Sequence, residues 1–373
     1  MKSEYARCRK LHIYMEDEQE CEMIMSKLSD AKLILDTNDT VHHWQYDITA
    51  LGEILIDFTA QGCNEEGQML YARNAGGAPA NVAVAAAKLG AHTAFIGKVG
   101  KDIHGEFLQE TLKNEKVDTK GLLLDARYFT TLAFVNINQA GERTFSFARK
   151  SGADTKIQRE EVDAALLDNA RIFHVGSLSL TDEPARDATF YAVERAKNSG
   201  SLISYDPNYR ASLWEDEQTA KKHMRSMLPY VDLMKISEEE IVLLTDCSDV
   251  QEAAKALYAQ GISVVAVTLG GKGAYVYSKA GGRMAAGFPV KHIADTTGAG
   301  DSFWGGFLYK ICTAEKSFEE LTIDELAAYA RFGNAVASLC VEKKGAIPAM
   351  PSLFQVEERM KNSRPADSAR SHP

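Results

Sequence analysis

The sequence predicts an α/β fold in which helices cover both faces of a mostly parallel central sheet. Apolar, β-rich runs alternate along the chain with segments of helical periodicity, and this alternation is typical of such sheets. At 373 residues the chain can bury a large core, and its 45% hydrophobic and 25% charged residues are ordinary for a globular protein. Two glycine-rich turns lead into helices, as expected where such a sheet binds ligands.

The strands and helices follow in order from these patterns. The predicted strands are the apolar runs Ile48–Phe58, Thr93–Val99, Arg171–Val175, Leu202–Tyr205, Leu233–Ile236 and Val264–Thr268. The first helix is the small-residue segment Val82–Leu89, which tolerates Pro79 in its first turn and ends at Gly90. Helical periodicity predicts six more, at Gly105–Asn114, Glu183–Asn198, Thr219–Leu228, Val250–Gln260, Gly300–Cys312 and Ile323–Leu339.

Two insertions and both chain ends depart from this alternation. Residues 59–73 and 131–147 are predicted to form short strand pairs, the second as a hairpin around Asn138–Glu142. Residues 46–361 are therefore expected to form the main domain. Residues 1–45 are an extension whose Glu-rich middle could form an amphipathic helix, and alternatives are an interaction segment or a wrongly chosen translation start. The polar tail at 362–373 is predicted to be disordered.

Composition excludes several classes of function. The net charge of -10 and the lack of a long basic run argue against a nucleic-acid partner or an anionic membrane surface. Six cysteines are scattered without a pair at metal-binding spacing, so neither a disulfide framework nor a zinc site is predicted. Without a membrane-spanning run or the apolar core of a signal peptide, the protein is expected in the cytoplasm.

The most informative segment is the glycine-rich turn from Asp295 to Phe307. Gly298 and Gly300 allow the backbone to approach a ligand closely, and the amides of Ala299, Gly300 and Asp301 fall in a first helical turn, where they lack intrahelical partners. We call these three N–H groups the amide cradle; a polyphosphate could satisfy them, helped by the helix dipole. Asp301 would then accept a proton from an attacking hydroxyl. The alternative is an ordinary helix cap.

A second glycine-rich turn, Asn74-Ala-Gly-Gly-Ala-Pro-Ala-Asn81, extends this interpretation. Its glycines, with Gly90 and Gly100, stand at the spacing of the N-terminal signature of the ribokinase-like (PfkB) carbohydrate kinases, and Asp295 to Leu308 matches their C-terminal signature. The chain therefore resembles this family from about Tyr46 to Pro351. The resemblance implies that the two strand-pair insertions form a small β-sheet lid over the sugar, which many members share in a homodimer.

The resemblance also implies a sugar site. Asp57, at the end of the first strand, would accept hydrogen bonds from sugar hydroxyls, and Asn81 would both donate and accept them. Gly76 and Gly77 would leave room for the sugar. Two arginines complete the implied substrate set: Arg210 in Asp206-Pro-Asn-Tyr-Arg210 and Arg149 at the return of the lid. Without the resemblance, Asp57 could be a turn residue, and both arginines could be solvated surface residues.

The nucleotide and metal residues are also implied by the resemblance. Ser237 stands where the family usually has Asn, and Glu240 would organise water around magnesium, although the pair could equally cap a helix that begins at Ser237. The chain has no P-loop. The residues expected to contact ATP are Ser237, Thr268, Gly270, Gly273 and Asn334, and those expected around potassium are Asp295, Thr297 and Ala349.

The resemblance implies an ATP-dependent sugar kinase, most like bacterial fructokinases, that uses magnesium and, in many members, potassium. Fructose is favoured by three segments: Gly52–Asp57, His174–Leu180 and Asp206–Arg210 with Trp214. Ribose, 2-keto-3-deoxygluconate and a nucleoside are alternative substrates. A non-catalytic sugar-binding regulator is an alternative from another class, but such a protein would not need a base beside the amide cradle.

Overall fold

A computed structural model describes residues 44–137 and 143–362. The protein divides into two units, Met1–His43 and Trp44–Pro373. The described residues belong to the second unit. Its strands are β1 Tyr46–Leu51, β2 Leu55–Cys63, β3 Met69–Gly76, β4 Thr93–Gly100, β5 Val117–Asp125, β6 Leu132–Ile137, β7 Arg143–Ala148, β8 Ala170–Gly176, β9 Leu202–Asp206, β10 Leu233–Ser237, β11 Val264–Thr268, β12 Gly273–Ser278 and β13 Gly281–Ala286.

The helices lie between these strands and after the last of them. They are α1 Ala78–Leu89, α2 Ile103–Asn114, α3 Ala164–Asp168, α4 Ala185–Asn198, α5 Glu217–Met227, α6 Ile241–Thr245, α7 Val250–Ala259, α8 Ala299–Cys312, α9 Ile323–Cys340 and α10 Leu353–Asn362. Most predicted helices therefore agree with the structure to within a few residues. The start predicted at Ser237 is wrong, because Ser237 is the last residue of β10 and α6 begins only at Ile241.

The larger sheet contains nine strands within the described residues. Their order is β13-β12-β11-β10-β9-β8-β1-β4-β5, and every neighbouring pair from β11 to β5 is parallel. At one end of the sheet, β12 pairs antiparallel with β11 and β13 pairs antiparallel with β12. The mostly parallel sheet expected from the sequence is thus confirmed, whereas β5, β12 and β13 were not among the predicted strands.

Helices bury both faces of this sheet. On β8, Ile172 belongs to the apolar cluster that contains Val82 of α1 and Trp304 of α8, and the next residue, Phe173, belongs to the cluster that contains Ala188 of α4. Successive residues of a strand point to opposite faces. Both faces of the sheet are therefore covered by apolar helix surfaces, which explains why the strands read as continuous apolar runs.

A smaller sheet is formed by β2, β3, β6 and β7, in the order β3-β2-β6-β7. We call it the small sheet. The single strand predicted at Ile48–Phe58 is wrong: β1 belongs to the large sheet and β2 to the small one. The break falls at Gly52, where an added Cβ would lie 2.6 Å from Pro79 Cγ. An unbroken apolar run cannot reveal a change of sheet, because both strands are buried there.

The carboxyl ends of the parallel strands meet at one edge of the large sheet. Gly176 at the end of β8 pairs with Asp206 at the end of β9, and Ser237 at the end of β10 pairs with Thr268 at the end of β11. Polar residues that follow these ends are thus brought together, as expected at the ligand-binding edge of an α/β sheet.

The predictions for the N-terminal extension, the tip of the hairpin at Asn138–Glu142 and the tail beyond Asn362 fall outside the described residues. Over the part of the chain that the structure describes, none of the helices combines the length and apolarity needed to cross a membrane.

Candidate active site

The glycine-rich turn begins α8. Gly298 has φ 76°, a left-handed conformation that favours glycine, and an added Cβ would lie 2.8 Å from Ala346 Cβ. Ala299 N–H donates at 3.2 Å to Thr296 O, which lies before the helix, so this cradle amide has a partner outside the helix rather than within it. The helix geometry leaves Gly300 and Asp301 N–H without intrahelical partners. The cradle therefore consists mainly of these two N–H groups.

Asp301 is buried beside the cradle, with 6% of its surface exposed. Asn81 Nδ2 donates to its Oδ2 at 2.8 Å, and Asn208 Nδ2 donates to its Oδ1 at 3.0 Å. Burial raises the pKa of this carboxyl, although Lys235 and the bond from Asn81 oppose the shift. Both oxygens thus accept an amide hydrogen bond and retain further lone pairs.

A buried ion pair lies under the cradle. Lys235 Nζ contacts Asp206 Oδ2 at 3.0 Å and Oδ1 at 3.2 Å, and both side chains are almost completely buried. A Cβ on Gly300 would lie 3.0 Å from Lys235 Nζ, so the ammonium group is adjacent to the helix start. Burial lowers the pKa of Lys235, but the carboxylates of Asp206, Glu240 and Asp301 raise it by more. Lys235 is therefore a cation at neutral pH.

Asp57 lies on β2, where the small sheet meets the large one. A Cβ on Gly76 would lie 2.0 Å from Asp57 Oδ2, so this position of the carboxyl requires glycine at 76. Gly77 has φ 113°, and its Cβ would lie 2.4 Å from Glu53 O. Burial raises the pKa of Asp57 to about 7, with Arg210 opposing the shift. The two glycines therefore allow the backbone to pass close to the Asp57 carboxyl group and to the backbone carbonyl of Glu53.

A cavity of about 760 Å³, which we call the site cavity, joins these groups. Many of the residues predicted to contact sugar, phosphate, nucleotide or metal line it. They are Asp57, Gly77, Asn81, Arg210, Ser237, Glu240, Thr268, Gly270, Thr297, Gly298, Ala299, Gly300 and Asp301.

A second cavity, of about 500 Å³, shares residues of the cradle with the site cavity. Of the residues predicted to contact nucleotide, Thr268, Gly270, Gly273 and Asn334 line it. The rest of its wall is largely apolar and includes Phe288, Pro289, Val290, Ile293, Phe303, Ala337 and Val341. Asn334 Nδ2 donates to the carbonyl oxygens of Ala285 and Ala286, which fixes the orientation of this amide.

Arg149 departs from its predicted place in the substrate site. It lines a neighbouring cavity instead of the site cavity. Its guanidinium donates to Asp154 Oδ2 at 2.7 Å, to Thr181 Oγ1 at 2.8 Å and to Leu178 O at 2.8 Å. All three nitrogens are therefore engaged, and this arginine joins the residues just after β7 to the segment that follows β8.

The residues predicted to hold metals make structural contacts. Glu240 accepts Tyr209 N–H at 2.7 Å and Ser237 N–H at 2.9 Å, so its carboxylate ties together the segments after β9 and β10. Asp295 accepts Thr297 N–H at 2.8 Å and Gly345 N–H at 3.0 Å, which joins the two loops named for potassium. Ala349 is fully buried in the second loop. Among the described residues, no three His, Cys, Asp or Glu side chains form a metal-binding group.

Sequence reasoning missed three site residues: Glu53, Asn208 and Lys235. Glu53 Oε1 accepts Ala78 N–H at 2.9 Å, and burial raises the pKa of its carboxyl to about 7. Asn208 lies in the motif that begins at Asp206, where only Arg210 was predicted to have a role. Lys235 is a charged residue within an apolar strand, close to its carboxyl end, and that pattern is the signal that could have identified it.

The large sheet, the cradle at a helix start and the two adjoining cavities form a site that can hold a polyphosphate beside a buried carboxyl group. Residues 46–353 match the pfkB family of carbohydrate kinases. The chain belongs to this family.

The similar proteins reported next, from plants and bacteria, are fructokinases or a probable fructokinase. The chain is 39% identical over 319 residues to a probable fructokinase-4 of Arabidopsis thaliana, covering 85% of this chain and 97% of the relative. It is 40% identical over 311 residues to a fructokinase-2 of Solanum lycopersicum, covering 83% and 94%. The fructokinase of Vibrio cholerae O395, solved with fructose, ADP and calcium, superimposes with a TM-score of 0.76 at 34% identity, covering 83% and 97%. The fructokinase of Xylella fastidiosa with bound ATP gives a TM-score of 0.76 at 32% identity, covering 85% and 98%.

Proposed function

We propose that this protein is an ATP-dependent fructokinase that converts fructose to fructose 6-phosphate. The observation that carries the proposal is the position of Asp301, a buried carboxyl beside the amide cradle in the cavity that also contains Asp57. The similarity to plant and bacterial fructokinases supports fructose as the substrate. A regulator that only binds sugar is disfavoured, because it would not need a buried carboxyl at the phosphate end of the site.

The second cavity accounts for the nucleotide. Its apolar wall suits a base, and Asn334 and the glycine turn at Gly270–Gly273 lie beside it. Where this cavity meets the site cavity, the N–H groups of Gly300 and Asp301 and the positive end of α8 would hold the phosphates. Lys235 adds a fixed positive charge next to Gly300. Charge that develops on the transferring phosphoryl group is thus stabilised where it forms.

The sugar would lie between Asp57 and Asp301. The Asp57 carboxylate and Asn81 Oδ1, which is buried without a partner, can accept hydrogen bonds from hydroxyl groups. Arg210 also lines this end of the cavity. One N–H of the Asn81 amide already donates to Asp301, so Asn81 is proposed to bind sugar through its oxygen and its second N–H.

The proposed reaction is an in-line displacement. The primary hydroxyl transfers its proton to Asp301 as its oxygen forms a bond to the γ-phosphorus, and the bond from that phosphorus to the bridging oxygen breaks to release ADP. Close placement of the two reactants supplies much of the rate enhancement.

Magnesium, when bound with ATP, supplies positive charge to the phosphates. Glu240 would act through water, as the resemblance implies, and each of its oxygens retains a lone pair beside the backbone N–H that it accepts. Potassium would bind between the loops that Asp295 joins, near Thr297 and Ala349. A related putative ribokinase II of E. coli, solved with ATP and magnesium, supports the nucleotide and magnesium assignment. We further propose that the small sheet is a lid over the sugar, through which the protein could form a homodimer. The cytoplasmic location stays a prediction.

The test is a phosphoryl-transfer assay of the purified protein over ketoses, aldoses, sugar acids and nucleosides. Fructose should give the highest kcat/KM. Preference for ribose, 2-keto-3-deoxygluconate or a nucleoside would overturn the substrate but preserve the kinase.

Asp301→Asn should fold and bind ATP but lose turnover by at least about 100-fold, because the base is removed while the cradle remains. Turnover near that of the wild type would contradict the proposed mechanism.

A further inference from the structure

Asn208 lies between Asp301 and the buried ion pair. Its side-chain Nδ2 donates to Asp301 Oδ1 at 3.0 Å, and its backbone N–H donates to Asp206 Oδ1 at 3.1 Å. Asp206 in turn pairs with Lys235. Asn208 is 8% exposed and lies two residues after the end of β9, with its backbone bonded to the last residue of β9 and its side chain to Asp301 of α8.

The backbone of Asn208 is strained. Its φ is 44°, in the left-handed region, where asparagine is tolerated better than most residues but still at an energetic cost. Strain of this kind persists where surrounding contacts hold the residue, and it is concentrated at functional sites. The contacts made here are those to Asp206 and Asp301.

Asn81 holds the other oxygen of Asp301. It lies in the first turn of α1 and donates to Oδ2 at 2.8 Å. Two amides from separate parts of the chain therefore fix the rotation of the carboxyl group. Amide N–H groups stabilise the ionised form of a carboxyl and oppose the effect of burial, which raises its pKa.

We propose that Asn208 is a positioning residue that orients Asp301 and keeps it ionised for proton abstraction from the sugar hydroxyl. This inference rests on the proposed function, in which Asp301 is the base. Asn208 itself touches no reacting atom in the proposed reaction. It acts through the carboxylate that it holds.

The test compares Asn208→Asp and Asn208→Gly with the wild type in steady-state assays over a range of pH. Asn208→Asp replaces an amide donor with a second carboxylate next to Asp301. We expect kcat at neutral pH to fall by about tenfold or more, and the acid limb of the kcat profile to move up by about one pH unit or more. KM for both substrates should change by less than about threefold, because neither substrate contact is removed.

The titratable groups that act on Asp301 stay unchanged in these variants, so a shift of the acid limb reports the residue at 208. These groups are Lys235, Arg210, Glu240, Asp206, Asp57 and Cys340. Asn208→Gly distinguishes the contribution of the backbone conformation at residue 208 from that of the side-chain amide. Glycine relieves the left-handed strain, which offsets part of the stability lost with the buried hydrogen bond to Asp301, and this variant should also lose kcat.

Asn169→Asp is the matched control. It makes the same change beside the start of β8, at the opposite end of the strand from the site, and should leave both the profile and kcat unchanged. If folded Asn208→Asp and Asn208→Gly both kept the wild-type kcat and acid limb, the inference would be overturned. A wild-type protein that phosphorylates no sugar would instead refute the proposed function, and an active Asp301→Asn would refute the base role on which this inference rests.

Discussion

Asp57 shows how one side chain can combine a proposed ligand contact with an electrostatic cost. Burial raises the pKa of its carboxyl in the folded protein to about 7, whereas an exposed aspartate titrates near 4. The folded state thus binds this proton more tightly than the unfolded chain does. The ionised Asp57 therefore reduces the free energy of unfolding progressively as pH rises from about 4 to about 7.

Asp57→Asn should therefore stabilise the protein at about pH 8 while weakening sugar binding. We expect the free energy of unfolding to rise by about 1–3 kcal/mol at that pH and the gain to vanish below about pH 4, where the aspartate is protonated in both states. Urea denaturation at both pH values measures this, and KM values for sugar and ATP separate the two ligands. Unchanged stability at pH 8, or equal weakening of both ligands, would contradict the prediction.

At the scale of elements, the Asp206–Lys235 pair joins the ends of β9 and β10 under the start of α8. Lys235→Met should destabilise the protein by about 3–5 kcal/mol, since it leaves Asp206 buried without its cation. The double variant Asp206→Asn/Lys235→Met should recover much of this loss. Denaturation of the two single variants and the double variant forms a double-mutant cycle, and purely additive losses would show that the two groups are not coupled.

The first turn of α8 offers a second test at this scale. Gly298→Ala places a Cβ 2.8 Å from Ala346 Cβ at a residue with φ 76°, so the start of the helix must move. We expect kcat to fall by about tenfold or more and ATP binding to weaken, with sugar binding affected less. Gly281→Ala is the control: φ is 94°, but nothing lies within 4 Å of its added Cβ. It carries a similar backbone penalty at the β12–β13 turn, and an equal loss of activity there would rule out a specific effect at residue 298.

Elements were predictable where one pattern determined them. The small-residue run before Gly90 predicted α1, and the glycine turn at Gly298 predicted α8. Both predictions lie close to the observed bounds, because the capping residues and the helical periodicity agree there. The run from Ile48 to Phe58 was misread because burial is continuous while the partner strands change. The acidic turn after Ser237 was misread as a helix start because a capping pattern also fits a turn in which Glu240 binds the backbone.

At the scale of the whole molecule, the contacts between the site residues could be identified only from the three-dimensional structure. The motifs located Asp301 and Asn81, but the bond between their side chains spans 220 positions of sequence, and the bond from Asn208 spans 93. No local periodicity reports such a contact. The pairing of Lys235 with Asp206 likewise depends on two strands being neighbours in the sheet, and Arg149 could not be known to be engaged by Asp154 until the segment after β7 was traced.

The N-terminal extension is proposed to be dispensable for chemistry. The described residues that line the site cavity begin at Glu53. A truncated protein that begins at Trp44 should therefore fold and phosphorylate its sugar at close to the full-length rate, with any change confined to solubility or association. Circular dichroism and the kinase assay test this together. A truncated protein that is folded but inactive would show that residues 1–43 reach the site or support the small sheet.

The long span between Asp301 and Asn81 has a consequence for the order in which the protein acquires activity. During synthesis the first glycine turn and the ends of β8 to β11 emerge before the helix that carries the base, and contacts of large sequence separation are slow to form. Partly folded or nascent chains could therefore bind neither phosphate nor a hydroxyl productively. In a refolding experiment, catalysis should return only with the slowest phase that buries Trp304, one turn beyond Asp301, rather than with the earlier gain of secondary structure.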